Sequence, residues 1–119
     1  MTVLWVAIGG AVGSVLRYWV SDPINQRAAP WGTVVVNLVG TFALGVLIGW
    51  FGRRASDSTV RVALSVGLLG GFTTFSSWAV ETVDLLSTGR IVTAMANVFV
   101  PLAIGLVAAL AGLAVGRLF

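Results

Sequence analysis

The sequence predicts an all-α integral membrane protein with four transmembrane helices. Three observations carry this. Of its 119 residues, 58% are hydrophobic and 9% are charged, with a mean hydropathy of +1.03, whereas soluble domains carry about 25% charged residues. The apolar residues fall in four runs, 3–20, 31–51, 60–86 and 91–117, separated by short polar stretches, and a membrane helix needs roughly 20 such residues. The 15 glycines suit close helix–helix approach in lipid.

Composition also narrows the chemistry. Cysteine and histidine are both absent, which removes disulfides, thiolate metal sites and the commonest general base. All the basic residues are arginine, and the net charge of +3 is spread over loops and helix ends. There is no basic patch with interleaved aromatics, as nucleic-acid binding would require. No Ser or Thr has a base beside it, so an enzyme is not expected. A cleavable signal is not expected either, because the first run lacks a charged leader and is long enough to span.

The first run, 3–20, is apolar except for Ser14 and Arg17, and Gly9 with Gly13 forms a close-packing face. Arg17 reads in two ways: a snorkelling interfacial cation, or a positive charge facing a water-filled vestibule where it attracts an anion. Residues 21–30 (SDPINQRAAP) read as a polar loop between Trp19 and Trp31.

In the second run, 31–51, Thr33, Asn37, Thr41, Gly45 and Gly49 recur at i+4 and share one stripe of a helix. A carboxamide in mid-membrane needs partners. Asn37 is therefore either interhelical glue or a pore-lining donor through its NH₂. Residues 52–59 (GRRASDST) form the most polar and most basic loop, with Arg53, Arg54 and the following Arg61.

The third run, 60–86, would rise about 40 Å as one helix, more than the ~30 Å hydrocarbon core. Gly70-Gly71 followed by β-branched Thr73 and Thr74 is its natural interruption. The third helix is thus expected to break at Gly70–Thr73. Freed carbonyls there would suit a small cation, and freed N–H groups an anion. The alternative is that the glycine pair only lets two helices cross closely. Beyond the break, Phe75 and Trp78 are i,i+3 neighbours, and Thr74, Ser77, Glu81 and Asp84 follow on another face. Glu81 and Asp84 lie toward the end of the run, where a vestibule is the expected setting. The turn at 85–90 leads to the fourth run, 91–117, marked by Asn97, Pro101, Gly105, Gly112 and Gly116. Asn97 is expected to act as helix glue. Pro101 frees a carbonyl and can kink the helix.

Four spans put both termini on one side. The arginines divide almost evenly between the two sides, so the positive-inside rule sets only a weak orientation. Four short helices hardly enclose a pathway alone, and the glycine faces need partners, so a dimer is expected. Donors that can replace a hydration shell describe an anion path better than a cation path. These are Asn37, Thr74, Ser77 and the ring edges of Phe75 and Trp78, with Arg17 at the entrance.

Three motifs in this order and spacing, GGAVGSVLRYW at 9–19, WGTVVVNLVGTF at 31–42 and GGFTTFSSWAVE at 70–81, resemble the Fluc (CrcB) fluoride channels of bacteria. The resemblance covers all four runs. It implies a dual-topology antiparallel dimer with two fluoride pores in the cell membrane, passively exporting fluoride and relieving its toxicity. It also implies that the broken third helices cross at the dimer centre around a structural sodium ion. That ion would be held by the backbone carbonyls of Gly70 and Thr73. By motif position the resemblance puts Asn37, Phe75 and Trp78 in the pore, with hydroxyls from Thr74 and Ser77, and Arg17 in the vestibule. Two departures stand out. Trp78 replaces the second phenylalanine of the family's TTFSTF pattern, and Pro101 stands where many relatives have a polar residue, often Ser. Because some relatives pair different subunits, the alternative to a homodimer is a heterodimer with a paralogous subunit, this chain being one non-conducting subunit of a heteromeric fluoride channel. A small multidrug-resistance-type proton-coupled exporter has similar length and topology, but it needs a carboxylate in its first span, and 3–20 has none.

Overall fold

The computed structural model describes residues 1–52 and 58–119. Arg53 and Arg54 of the basic loop lie outside the described residues. The regular elements among the described residues are all helices, with four spans long and apolar enough to cross a membrane: Thr2–Ala28, Trp31–Phe51, Ser58–Ser87 and Ile91–Gly116. The first, second and fourth are the continuous helices α1 (Thr2–Ala28), α2 (Trp31–Phe51) and α6 (Ile91–Gly116). The third is composite. It consists of α3 (Ser58–Val62), a π-helical segment (Ala63–Leu69), the single turn α4 (Gly70–Phe72) and α5 (Phe75–Ser87).

The first helix does not stop where the polar stretch begins. It runs through Pro23 to Ala28. Its 27 residues rise about 40 Å, so its last turns project beyond the hydrocarbon core while remaining helical. Their side chains find partners in that form. Ser21 donates to the Arg17 carbonyl (2.7 Å), Gln26 donates to Asp22 (2.7 Å), and Asn25 Oδ1 accepts the Gly32 N–H at the start of α2 (2.7 Å).

The break in the third span falls on Thr73 and Thr74, at the end of the expected window. Both are extended (φ −88°, ψ 157° and φ −149°, ψ 121°), while Gly70 is ordinary α-helix (φ −64°, ψ −35°). The glycines serve contact instead. A Cβ on Gly71 would lie 2.5 Å from the Gly10 carbonyl oxygen, and one on Gly9 would lie 2.8 Å from that of Ala63. Backbone therefore touches backbone where α1 crosses the π segment and α4. The β-branched threonines, which favour extended backbone, take up the interruption.

A second glycine seam joins α2 to α6, the most extensive pairing in the chain. Cβ atoms on Gly45 and Gly49 would sit 2.7 and 2.6 Å from the carbonyl oxygens of Ala109 and Leu113, and Gly112 and Gly116 face them. Both glycine faces are thus consumed within one chain, because small residues let these helices approach to backbone contact. They give no argument for a second copy. The buried core is small: Val34, Val36, Phe51, Leu69, Leu85 and Ala94. Most large apolar side chains of α1 and α6 are exposed, as lipid or a partner requires. Between α5 and α6, Gly89 takes φ +75°. The Arg90 N–H reaches the Leu85 carbonyl (2.8 Å) and the Gly89 N–H that of Leu86 (3.1 Å), a Schellman ending for α5.

Candidate functional site

The site forms where the polar stripe of α2 meets the break. In a continuous helix the Thr74 N–H would donate to the Gly70 carbonyl. Here it donates to Asn37 Oδ1 (2.8 Å), and Asn37 Nδ2 donates to the Thr74 carbonyl (2.9 Å). The carboxamide thus replaces the missing helical acceptor of the Thr74 N–H and adds a second donor to the Thr74 carbonyl, which as the N-cap carbonyl already opens α5. Thr74 is also the N-cap of α5. Its Oγ1 accepts from the Ser77 N–H (3.2 Å) and donates to Ser77 Oγ (3.2 Å), a preferred use of Thr at a helix start. Thr41, one turn below Asn37, donates to the Asn37 carbonyl (2.7 Å).

A cavity of about 450 Å³ opens beside this clamp. Asn37, Gly70, Thr73, Thr74, Phe75 and Trp78 all line it, together with Thr41, Ser65 and Pro101. Six of the eight residues singled out in the sequence therefore meet at one place. The other two stand at its edges: Ser77 beside Thr74, and Arg17, whose Nη1 donates to the Thr73 carbonyl (3.3 Å). Phe75 and Trp78 are paired, ring centroids 5.2 Å apart and tilted by 45°. Phe75 is 77% exposed, and Gly70, Ser76 and Ser77 share that exposure. One chain thus walls the polar strip on one side only.

The chemistry of the lining is that of donors in an apolar frame. Asn37 Nδ2 keeps a second N–H after bonding Thr74, and ring edges and hydroxyls add positive ends. No group of three or more His, Cys, Asp or Glu that could hold a metal occurs among the described residues. The oxygens suited to a hard cation are backbone carbonyls at the break. That of Gly70 is relieved of its helical donor, because the Thr74 N–H is diverted to Asn37. That of Thr73 is shared with Arg17.

Two features escaped the sequence. Glu81 Oε1 accepts from Thr33 Oγ1 (2.7 Å) and Asn25 Nδ2 (3.4 Å), while its Oε2 is buried without a hydrogen-bond partner. Thr33 lies on the same stripe as Asn37, a usable signal. Asn25 was hidden by the loop reading of 21–30. The second is a ring of hydrogen bonds between α5 and α6. Trp78 Nε1 donates to the Asn97 carbonyl (2.6 Å), Asn97 Nδ2 donates to Thr82 Oγ1 (2.9 Å), and Thr82 Oγ1 donates to the Trp78 carbonyl (2.8 Å). Asn97 is fully buried and, as glue, joins these two helices.

Comparison with known proteins is consistent along the whole chain. Residues 4–113 match the family described as CrcB-like protein, Camphor Resistance (CrcB). A protein of Allorhizobium ampelinum named fluoride-specific ion channel FluC is 44% identical, covering 97% of this chain and 95% of its own. One of the same name from Magnetococcus marinus is 41% identical over 99% of both chains. Another, from Alteromonas mediterranea, is 46% identical over 80% of this chain and 78% of its own.

Proposed function

The chain belongs to the CrcB-like family, and from that premise we propose that it is a passive, fluoride-selective channel relieving fluoride toxicity. It is a multi-pass membrane protein and not an enzyme. The observation that carries the fluoride reading is the match, over nearly full length, to relatives named fluoride-specific ion channels. The geometry supports it with a route of fitting chemistry. Fluoride is small and strongly hydrated, and it exchanges water only for close donors. The free N–H of Asn37, the hydroxyl of Ser77 that Thr74 Oγ1 bonds, and the edges of Phe75 and Trp78 offer those donors with no charged side chain among them to trap the ion. Arg17 at the edge raises the local anion concentration. Family membership leaves no ground for the proton-coupled exporter.

The working unit in this reading is an antiparallel homodimer. Gly70 and Phe75 line the cavity and are exposed, and in this reading a second chain would complete the wall there. Gly70 and Thr73 of each chain would then offer backbone carbonyls to a structural sodium ion. A bound cation there would hold the two breaks together and balance the anion's charge nearby. Gly70 fits this role through its diverted helical donor, and Thr73 through the second lone pair of a carbonyl already bonded to Arg17.

The test is efflux from liposomes loaded with fluoride and held at a potassium–valinomycin potential, read with a fluoride electrode. Rapid fluoride release with no comparable chloride release is expected. An absence of release from the purified chain overturns the homomeric channel. Release regained on adding a paralogous subunit would assign this chain to a heterodimer.

A further inference from the structure

The two departures from the family's pattern meet in space, and they are complementary. Pro101 lies inside α6 and has no N–H. The residue four positions before it is Asn97, so the Asn97 carbonyl lacks its helical donor. That same carbonyl accepts the Trp78 indole N–H at 2.6 Å. A phenylalanine at 78 would offer no donor, and any residue but proline at 101 would supply its own. Both side chains line the cavity, and Asn97 is fully buried, so an unmet carbonyl there could not turn to water.

We propose that Trp78 and Pro101 are one matched unit, in which proline frees the Asn97 carbonyl and the indole N–H occupies it, fixing the ring at the cavity wall. Pro101 is thus a positioning residue acting through Asn97. The indole sets the width of the cavity beside Phe75, 5.2 Å away between centroids. An unanchored ring would be free to swing across it. The effect on conduction rests on the fluoride-channel reading; the hydrogen bond itself does not.

The experiment uses the purified full-length chain, Trp78→Phe, Pro101→Ala and the double variant. A further chain carries benzothienylalanine at 78, which keeps the indole's shape without its N–H. In ¹⁵N spectra the Trp78 indole resonance is assigned by its loss in Trp78→Phe. It should lie farthest downfield of the five tryptophans and exchange most slowly with D₂O. Pro101→Ala should move it upfield and speed its exchange, because the new backbone N–H competes for the same carbonyl. Trp78→Phe and the benzothienyl chain should each lose fluoride flux by about threefold to tenfold, the range of one net hydrogen bond. Adding Pro101→Ala should bring both to within about twofold of the Pro101→Ala chain, a non-additive cycle. An indole resonance indifferent to Pro101→Ala, or a benzothienyl chain equal to wild type in flux and melting temperature, overturns the pairing. Resonance and melting coupling without fluoride flux in any variant supports the pairing and overturns the homomeric-channel reading alone.

Discussion

The carboxamide of Asn37 holds Thr74 at both of its backbone ends, accepting its N–H at 2.8 Å and donating to its carbonyl at 2.9 Å. This is the pairing one strand gives another, made here by a side chain of α2 across a gap in the third span. It lets an interrupted helix exist at membrane depth, where unpaired backbone groups carry a penalty of several kcal/mol each. Asn37→Ala removes both bonds at once and is expected to destabilise the protein by about 1–3 kcal/mol, the penalty of one unsatisfied part-buried group, because the Thr74 N–H loses its acceptor while its carbonyl keeps the first bond of α5. Asn37→Asp keeps the acceptor but turns a carboxylate toward the Thr74 carbonyl. It should melt no higher than Asn37→Ala and pass no fluoride. Thermal unfolding in detergent, with liposome efflux alongside, checks both. Asn37→Ala melting like wild type would show that the break holds itself.

The glycine pair at 70 and 71 separates folding from assembly. A Cβ at Gly71 would meet the Gly10 backbone at 2.5–3.1 Å, whereas the nearest atom to one at Gly70 is the Ser65 carbonyl oxygen at 3.9 Å. Gly71→Ala should therefore push α1 away from α4 and destabilise the chain by about 1–3 kcal/mol, the usual range for overpacking. Gly70→Ala should leave helix content and monomer melting unchanged. Within the proposed antiparallel dimer, however, the added methyl lies at the crossing, and cross-linking yield should fall. Dimerisation indifferent to Gly70→Ala would move the interface away from the break.

Much of this was legible in the chain of residues, and the misses have physical causes. Apolar run length alone marks four spans, because lipid permits little else. The i+4 spacing of Thr33, Asn37 and Thr41 put them on one stripe, and all three are bonded along it. Gly70-Gly71 looks like a helix interruption, so the sequence opens the break at Gly70, whereas the extended residues are Thr73, the last of the expected window, and Thr74. Glycine inside a membrane helix serves close approach equally well, and only the partner Gly10 decides between the two. Likewise, the small-residue faces read as surfaces for a second chain, yet Gly45 and Gly49 spend them on Gly112 and Gly116. Sequence shows that such a face exists and is silent on what covers it. The bond from Trp78 to Asn97 needs the register of α5 against α6, which no local pattern carries.

Glu81 offers a test of the missed network. Its Oε1 satisfies Thr33 and Asn25, while Oε2 is buried without a partner. Glu81→Gln preserves the acceptor and removes a carboxylate from a place that does not solvate it, so melting should stay level or rise. Glu81→Ala leaves the Thr33 hydroxyl without its acceptor, while Asn25 Nδ2 keeps Thr33 Oγ1 at 3.3 Å, and should destabilise the protein by about 1–3 kcal/mol. Combining Glu81→Ala with Thr33→Val should recover part of that loss, since both partners of one bond are then gone. Full additivity in this cycle would remove Thr33 as the partner that matters.

Arg17 has two roles that a single deletion confounds. Its guanidinium donates to the Thr73 carbonyl at 3.3 Å, and it places a positive charge at the edge of the cavity. Lysine retains the charge on a flexible stem but not the planar fork. If the charge gathers anions, Arg17→Lys should keep about half or more of the flux, while Arg17→Ala should lose about tenfold, within the 10–10³ range of charge-focused capture. The deficit in Arg17→Ala should shrink as fluoride concentration rises, because charge then no longer limits entry. It should also shrink relative to wild type at high ionic strength, where screening removes the advantage of Arg17 itself. A holder of the Thr73 carbonyl behaves differently: Arg17→Lys would fail nearly as badly as Arg17→Ala, at every salt and fluoride concentration, and both would melt lower. The concentration dependence of efflux in these two variants therefore divides capture from scaffolding, and the expected outcome is capture.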